Sequence, residues 1–311
     1  MASIICGVDV SLKTLDGRIS GSDLELSVGR DPEGIATLAR FCAEHGVELV
    51  VMEATGGYEK LPFSLLWEAG VPCAVANARS VRRFAEAMGV LEKTDRIDAK
   101  VIADYARAKG LVGQAPESQA QDRLRALVTR LRQLTELKVA QSNQRRLVQD
   151  PQVVAGFDEM LALIGRQSRA LETQIAELLG EDPLWRALDA AFREIKGVAG
   201  RTVARLMAEM PEIGTVSNKA VAKLAGLAPI ARDSGKRQGK RPVRGGRAQV
   251  RSILVIIASV VARHDPGLAA FHQRLTQAGK PKMAVRVAVA RKLLVRLNAK
   301  ARDARNAMMP A

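Results

Sequence analysis

Residues 229–251, PIARDSGKRQGKRPVRGGRAQVR, set one serine among eight cations and a single acid. The cations are Arg232, Lys236, Arg237, Lys240, Arg241, Arg244, Arg247 and Arg251; the acid is Asp233 and the hydroxyl is Ser234. Arginine forks and lysine point charges both bind phosphate oxygens. Glycines at 235, 239, 245 and 246 let a backbone come close to a ligand. A lone hydroxyl in this company is either one more phosphate contact or a nucleophile aimed at phosphorus, and the segment alone leaves both readings open.

A second set of residues could serve the same chemistry. Asp9 and Glu53 each end an apolar run, ICGV and LVVM. A carboxylate there costs free energy unless it is exposed or paired. Asp95 and Asp98 lie in KTDRIDAK, where Thr94 is the natural N-cap, so the two acids fall one turn apart on one helix face. An all-oxygen set of this kind suits a hard divalent cation. Two such ions about 4 Å apart clamp the attacking and leaving oxygens of a phosphoryl transfer. The plainer reading of Asp95 and Asp98 is a pair of first-turn acids favoured by the helix dipole.

Elements must exist to carry these groups. Strands are expected at 3–10, 14–19, 23–28, 48–53 and 71–76, with helices at 33–45, 59–69, 77–88 and 94–108. Three strands followed by helix–strand alternation indicate a mixed α/β sheet of the ribonuclease-H type. Beyond the composition change at 113–118, Leu124, Leu127, Leu131 and Leu134 recur at spacings of three and four. They predict a helical coiled-coil arm of two long helices, about 117–149 and 156–180, which is either a hairpin within the chain or a dimer contact. The remainder is mostly helical: IKGVAGRTVARLMAEM (195–210) has the form of a helix-hairpin-helix or of a simple packing corner. KAVAKLAGLAP (219–229) is a helix stopped by proline, and further helices are expected at 248–263 and 281–302. The boundaries drawn are 1–112, 113–182 and 183–311.

The chain of 311 residues carries a net charge of +15, which points to a polyanionic partner. No apolar run reaches 18 residues and no signal peptide is evident, which disfavours a membrane. Cys6, Cys42 and Cys73 fit neither a zinc pattern nor a disulfide framework and read as buried thiols in a reducing cytoplasm. Aromatics are 3% of the chain, so phosphate contacts rather than base stacking should dominate binding.

With these motifs in order, the sequence resembles the IS110-type transposases and the related Piv-type DNA invertases over nearly its whole length. The resemblance rests on GVDVS (7–11), VMEATGGY (51–58), KTDRIDAK (93–100), the hairpin with LAGLAP (195–229) and DSGKRQGK…RGGRAQVR (233–251). It implies a RuvC-like domain whose DEDD acids are Asp9, Glu53, Asp95 and Asp98, holding Mg²⁺ or Mn²⁺. It further implies a C-terminal transposase domain with Ser234 as nucleophile. The implied partners are donor and target DNA, a non-coding bridge RNA and further copies of the chain as a dimer or tetramer. The implied setting is the bacterial cytoplasm, at the nucleoid during reaction. The hairpin departs from the expected Gly-Ile-Gly by reading Gly-Val-Ala-Gly. The reaction so implied is DNA cutting and rejoining through a phosphoserine bond. Its rivals are a junction-resolvase-like nuclease that uses water and a non-catalytic nucleic-acid-binding protein.

Overall fold

The structure is a computed structural model and describes residues 3–308, apart from Leu91, Lys93, Arg232, residues 235–238 and Lys240; for Asp95 and Arg96 it describes the backbone alone. The chain divides into two compact units, Met1–Glu117 and Ser118–Ala311.

In the first unit the strands are β1 (Ile5–Val10), β2 (Thr14–Ile19), β3 (Glu25–Gly29), β4 (Leu49–Glu53) and β5 (Cys73–Ala76). The helices are α1 (Pro32–Glu44), α2 (Lys60–Glu68), α3 (Ala78–Ala87) and α4 (Asp95–Lys109). The sheet order is β3-β2-β1-β4-β5. The hairpin strands β1, β2 and β3 pair antiparallel, and β4 and β5 run parallel to β1, giving the mixed sheet of ribonuclease-H type that was expected.

Successive side chains on a strand point to opposite faces, and the two faces here carry different cargo. Cys6, Val8 and Val10 of β1, with Val50 and Met52 of β4, pack against Ile35 and Leu38 of α1 and Leu66 of α2. Ile5, Leu49 and Val51 point the other way, against Val81 and Ala85 of α3 and Ile102 and Ala106 of α4. By the same alternation Gly7, Asp9 and Glu53 belong to this second face. All three cysteines are free and buried, and they share the first face. Hydrogen bonding to Cys42 together with burial pushes the Cys6 thiol well up, and burial pushes Cys73 up to about 12. Both thiols are therefore protonated at neutral pH.

The second unit is helical: α5 (Gln119–Arg145), α6 (Pro151–Glu181), α7 (Pro183–Arg193), α8 (Gly200–Glu209), α9 (Asn218–Leu224), α10 (Ala248–His264), α11 (Pro266–Gln277) and α12 (Lys282–Asn306). Helices α5 and α6 pack on each other as a hairpin. Leu124 and Leu131 of the leucine seam, with Val128 beside them, share one core with Ile175 and Leu178 of α6 and with Val203 and Leu206 of α8. The seam is thus used within the chain, and the base of the arm belongs to the same compact unit as the helices that follow it.

Three expectations need correction. Pro151 opens α6 at its first position, where a missing N–H costs nothing, and Asp150 caps it through the N–H groups of Gln152 and Val153. The helix therefore begins at 151 and not 156. Helix α9 ends at Leu224 because Gly226 takes φ +67°, five residues before the proline expected to stop it. Helix α11, unanticipated, opens with Pro266 after Asp265, which accepts the N–H of Leu268 at 2.9 Å. No single helix among the described residues is long and apolar enough to cross a membrane.

Candidate functional site

Asp9 and Glu53 leave neighbouring strands at the same level. The parallel register pairs Val8 with Met52, and each acid is the next residue on its strand. Adjacent strands lie about 4.8 Å apart, so the two carboxylates stand side by side on the face that α4 covers.

What brings α4 close is Gly7. A Cβ at that position would stand 2.1 Å from the carbonyl oxygen of Ala99 and 2.6 Å from the amide nitrogen of Ala103. Only glycine lets the helix backbone lie directly on β1, and Ala99 and Ala103 keep the helix side of the contact equally small. Thr94 caps α4 as expected, accepting the N–H of Ile97 at 3.3 Å. Asp98 precedes Ala99 and is thereby carried toward the C-terminal end of β1, where Asp9 stands. Together Asp9, Glu53 and Asp98 line a cavity of about 660 Å³. Asp95 lies one turn earlier on α4, and its side chain is outside the described atoms.

The donor chemistry of these three carboxylates fits a hard cation. As placed, no three Asp, Glu, His or Cys side chains among the described residues converge tightly enough to hold one ion. The loop after β4 is shaped by an acid that the sequence did not single out. Glu59 accepts the N–H groups of Thr55 at 3.0 Å and Gly57 at 2.9 Å, while Gly56 and Gly57 take positive φ. This holds the Thr-Gly-Gly-Tyr turn against the end of the Glu53 strand. The cavity also has arginines, Arg79, Arg82 and Arg83 of α3, which motif reading passed over. Their signal was present as a spacing of three and four on one amphipathic helix.

The serine segment is built differently. Its two ends meet at an isolated bridge between Pro229 and Val243, where the N–H of Ile230 donates to the carbonyl of Pro242 at 3.1 Å. Below the bridge the backbones interlock. A Cβ on Gly246 would stand 2.3 Å from the nitrogen of Gly226, and the N–H of Arg247 donates to the carbonyl of Leu224 at 2.7 Å. Gly246 therefore serves a backbone crossing rather than the ligand approach read from the sequence.

Ser234 itself is exposed. Its neighbour Asp233 accepts the N–H of Gly239 at 3.1 Å and pairs with Arg241 at 3.1 Å, cross-linking the segment around the hydroxyl. Two more cations hold the fold: Arg247 pairs with Glu212, and Arg251 donates to the carbonyl of Gly245 at 2.6 Å. Arg244 is exposed. Arg232, Lys236, Arg237 and Lys240 lie outside the described residues. The Gly-Val-Ala-Gly corner packs on α10: a Cβ at Gly197, which has φ +97°, would meet Val261 at 3.2 Å.

Comparison with known proteins finds family models and relatives across most of the chain. Residues 6–149 match the model of the IS110 DEDD transposases, described as Transposase. Residues 189–273 match the model described as Transposase IS116/IS110/IS902 family. The pilin gene-inverting proteins of Moraxella bovis and Moraxella lacunata are each 24% identical over 305 residues, covering 94% of this chain and 94% of theirs. The insertion element IS110 protein of 43.6 kDa from Streptomyces coelicolor is 25% identical over 371 positions, covering 94% of this chain and 89% of its own. Among solved structures, Thermus thermophilus RuvC is similar over 35% of this chain and 98% of its own, at 14% identity and a TM-score of 0.26.

Proposed function

The chain belongs to the IS110 family of transposases, and on that premise we propose that it is a DNA recombinase that cuts and rejoins strands through a phosphoserine bond at Ser234. The observation that supports phosphoryl-transfer chemistry is that Asp9, Glu53 and Asp98, from three separate elements, line one cavity; family membership supports Ser234 as the nucleophile.

Ser234 Oγ attacks the scissile phosphorus. The new P–O bond to serine forms as one backbone P–O bond breaks, and the departing strand end takes up a proton to become a hydroxyl. The serine proton passes to a base. Rejoining is the reverse: a strand-end hydroxyl attacks the phosphoserine, and Ser234 recovers its proton. The bond energy is kept in the covalent link, so no nucleotide cofactor is needed. Asp9, Glu53, Asp98 and Asp95 would hold Mg²⁺ or Mn²⁺. Bound there, the ion would stabilise negative charge on the phosphate. Arg244, with Arg232, Lys236, Arg237 and Lys240, holds the DNA backbone; Arg241, Arg247 and Arg251 keep the serine segment in shape.

In this reading residues 1–112 supply the acids, 183–311 the nucleophile, and 113–182 an arm through which copies of the chain assemble. A bridge RNA selects donor and target. Family membership supports the last two points.

The test is a denaturing gel for protein–DNA adducts. Wild-type protein with Mg²⁺ should give a covalent adduct, and Ser234→Ala should give none while it still folds and binds DNA. Free cut ends without an adduct would make the protein a nuclease that uses water, and neither product would leave a binding protein.

A further inference from the structure

We infer that helix α3 forms the substrate-holding wall of the acidic cavity, with Arg79, Arg82 and Arg83 gripping backbone phosphates of the DNA strand whose scissile phosphate meets Asp9, Glu53 and Asp98. The inference rests on the reading of that cavity as the reaction centre and names the residues that bring substrate to it.

The three arginines sit at i, i+3 and i+4 and are exposed, yet they line the same concavity as the acids rather than an open convex face. Helix residues at these spacings are neighbours, and like charges there repel. Arg79 lies in the first turn, after the N-cap Asn77, where the helix dipole disfavours a cation. Arg82 is offset by Glu86 at 3.4 Å, a pair exposed to solvent and so weak. On its own the arrangement opposes helix stability. A polyanion laid across it reverses that sign, because each guanidinium can fork onto phosphate oxygens.

The opposite face of α3 is fixed. Val81 and Ala85 are buried in the core shared with α4, and α4 carries Asp98. The arginines are thus held in register with the acids through packed helices rather than a loop. A strand lying along α3 would be gripped beside the phosphate that the carboxylates address. This differs from the serine segment, whose cations belong to the other unit.

The experiment compares full-length protein with the triple variant Arg79→Gln, Arg82→Gln, Arg83→Gln. Gln keeps helix propensity and removes the like-charge repulsion, so the thermal midpoint should hold or rise. Equilibrium binding to a fluorescein-labelled DNA duplex of arbitrary sequence is read by anisotropy across a salt titration with Mg²⁺ present. The slope of log affinity against log salt should fall by about 2–3, close to one for each phosphate that is no longer neutralised. A control triple away from the cavity, the arm and the serine segment, Arg40→Gln, Lys109→Gln, Arg186→Gln, removes the same charge from exposed sites and should leave the slope near wild type. The variant with lysine at 79, 82 and 83 should keep the slope but form adduct at least about tenfold more slowly, because charge survives and the fork does not.

An unchanged slope overturns the inference, as does an equal fall in the control, which would report bulk charge. Weakened affinity for a structured RNA with duplex binding intact would make α3 an RNA-binding surface and equally sink it. Binding is read without chemistry, so a fallen slope together with absent Ser234 adduct would defeat the phosphoserine reading and leave this one standing.

Discussion

The acidic cavity and the serine segment are both proposed to act on phosphate, and they are made by opposite means. The acids ride on regular elements. Asp9 and Glu53 are fixed by strand register and Asp98 by a helix pressed onto β1 at Gly7. Each position follows from backbone hydrogen bonding that would exist without the acid. Ser234 instead belongs to an excursion outside the helices and named strands, and its described contacts include the Pro229–Val243 bridge, the Gly246 crossing and the Asp233 clamp. A metal-binding set needs several groups held to a fraction of an ångström, which rigid elements supply. A nucleophile that must engage and release strands is served by a loop with few apolar contacts and a low free energy of local opening.

Four substitutions would break or sharpen this contrast. The largest effect should come from Gly7→Val, which drives side-chain atoms into the α4 backbone and should destabilise the first unit by at least about 3 kcal/mol; a thermal melt indistinguishable from wild type would refute the close-approach account. Next, Gly246→Ala combines a crowded crossing with φ +60° and should cost about 2–3 kcal/mol in denaturant unfolding. It should damage adduct formation more than conservative substitutions within the sheet do, since it lies at the root of the serine segment.

Asp265 comes third. Burial pushes its carboxyl up, but Arg296 at 2.7 Å and the N–H of Leu268 outweigh burial and hold it below the ordinary carboxylate range. A depressed folded value means that its stabilisation is complete above the unfolded pKa and is lost as pH falls through the folded one. Asp265→Ala should therefore cost about 2 kcal/mol at neutral pH, and the gap from wild type should narrow in acid. A gap that is constant with pH would assign the effect to packing. The smallest global effect belongs to Asp233→Ala, under about 1 kcal/mol in unfolding. Amide exchange across 229–243 should nonetheless rise, because the clamp on Gly239 and Arg241 is gone; unaltered exchange there would show that the clamp does not hold the segment.

The sequence made the first unit readable and the second less so, for a physical reason. Apolar runs ended by Asp9 and Glu53 have only one way to alternate, so strand, face and neighbour all follow from period two. Thr94 and the acids after it announced the start of α4. The same logic could not reveal that Gly7 sets the helix-to-sheet distance, because that role depends on what crosses above it. Nor could it separate the cations that bind a ligand from those that hold the fold. Arg247 and Glu212 are 35 residues apart, and Arg251 reaches a backbone carbonyl; neither partnership leaves a local pattern. The arginines of α3 were visible as a periodic polar face, but only the cavity gives that face a direction. Pro151 misled because proline both interrupts and begins helices, and the Asp150 cap decides between the two.

The α5–α6 hairpin has a consequence beyond its packing. Its base is buried, with Leu131 and Leu134 on one helix and Ile164, Ile175 and Leu178 on the other. From 135 to 163 no described residue is buried, Leu147 and Val153 lie 85% and 51% exposed, and the tip is pinned by Arg145 on Asp158. An exposed ion pair is a weak, salt-screened fastener. The hairpin therefore carries a gradient of opening along its length: backbone amides near Leu131 and Leu178 exchange only on global unfolding, while those near the tip exchange through local fraying. Order at the base rests on buried side chains, and order at the tip on the Asp150 cap and the exposed Arg145–Asp158 pair.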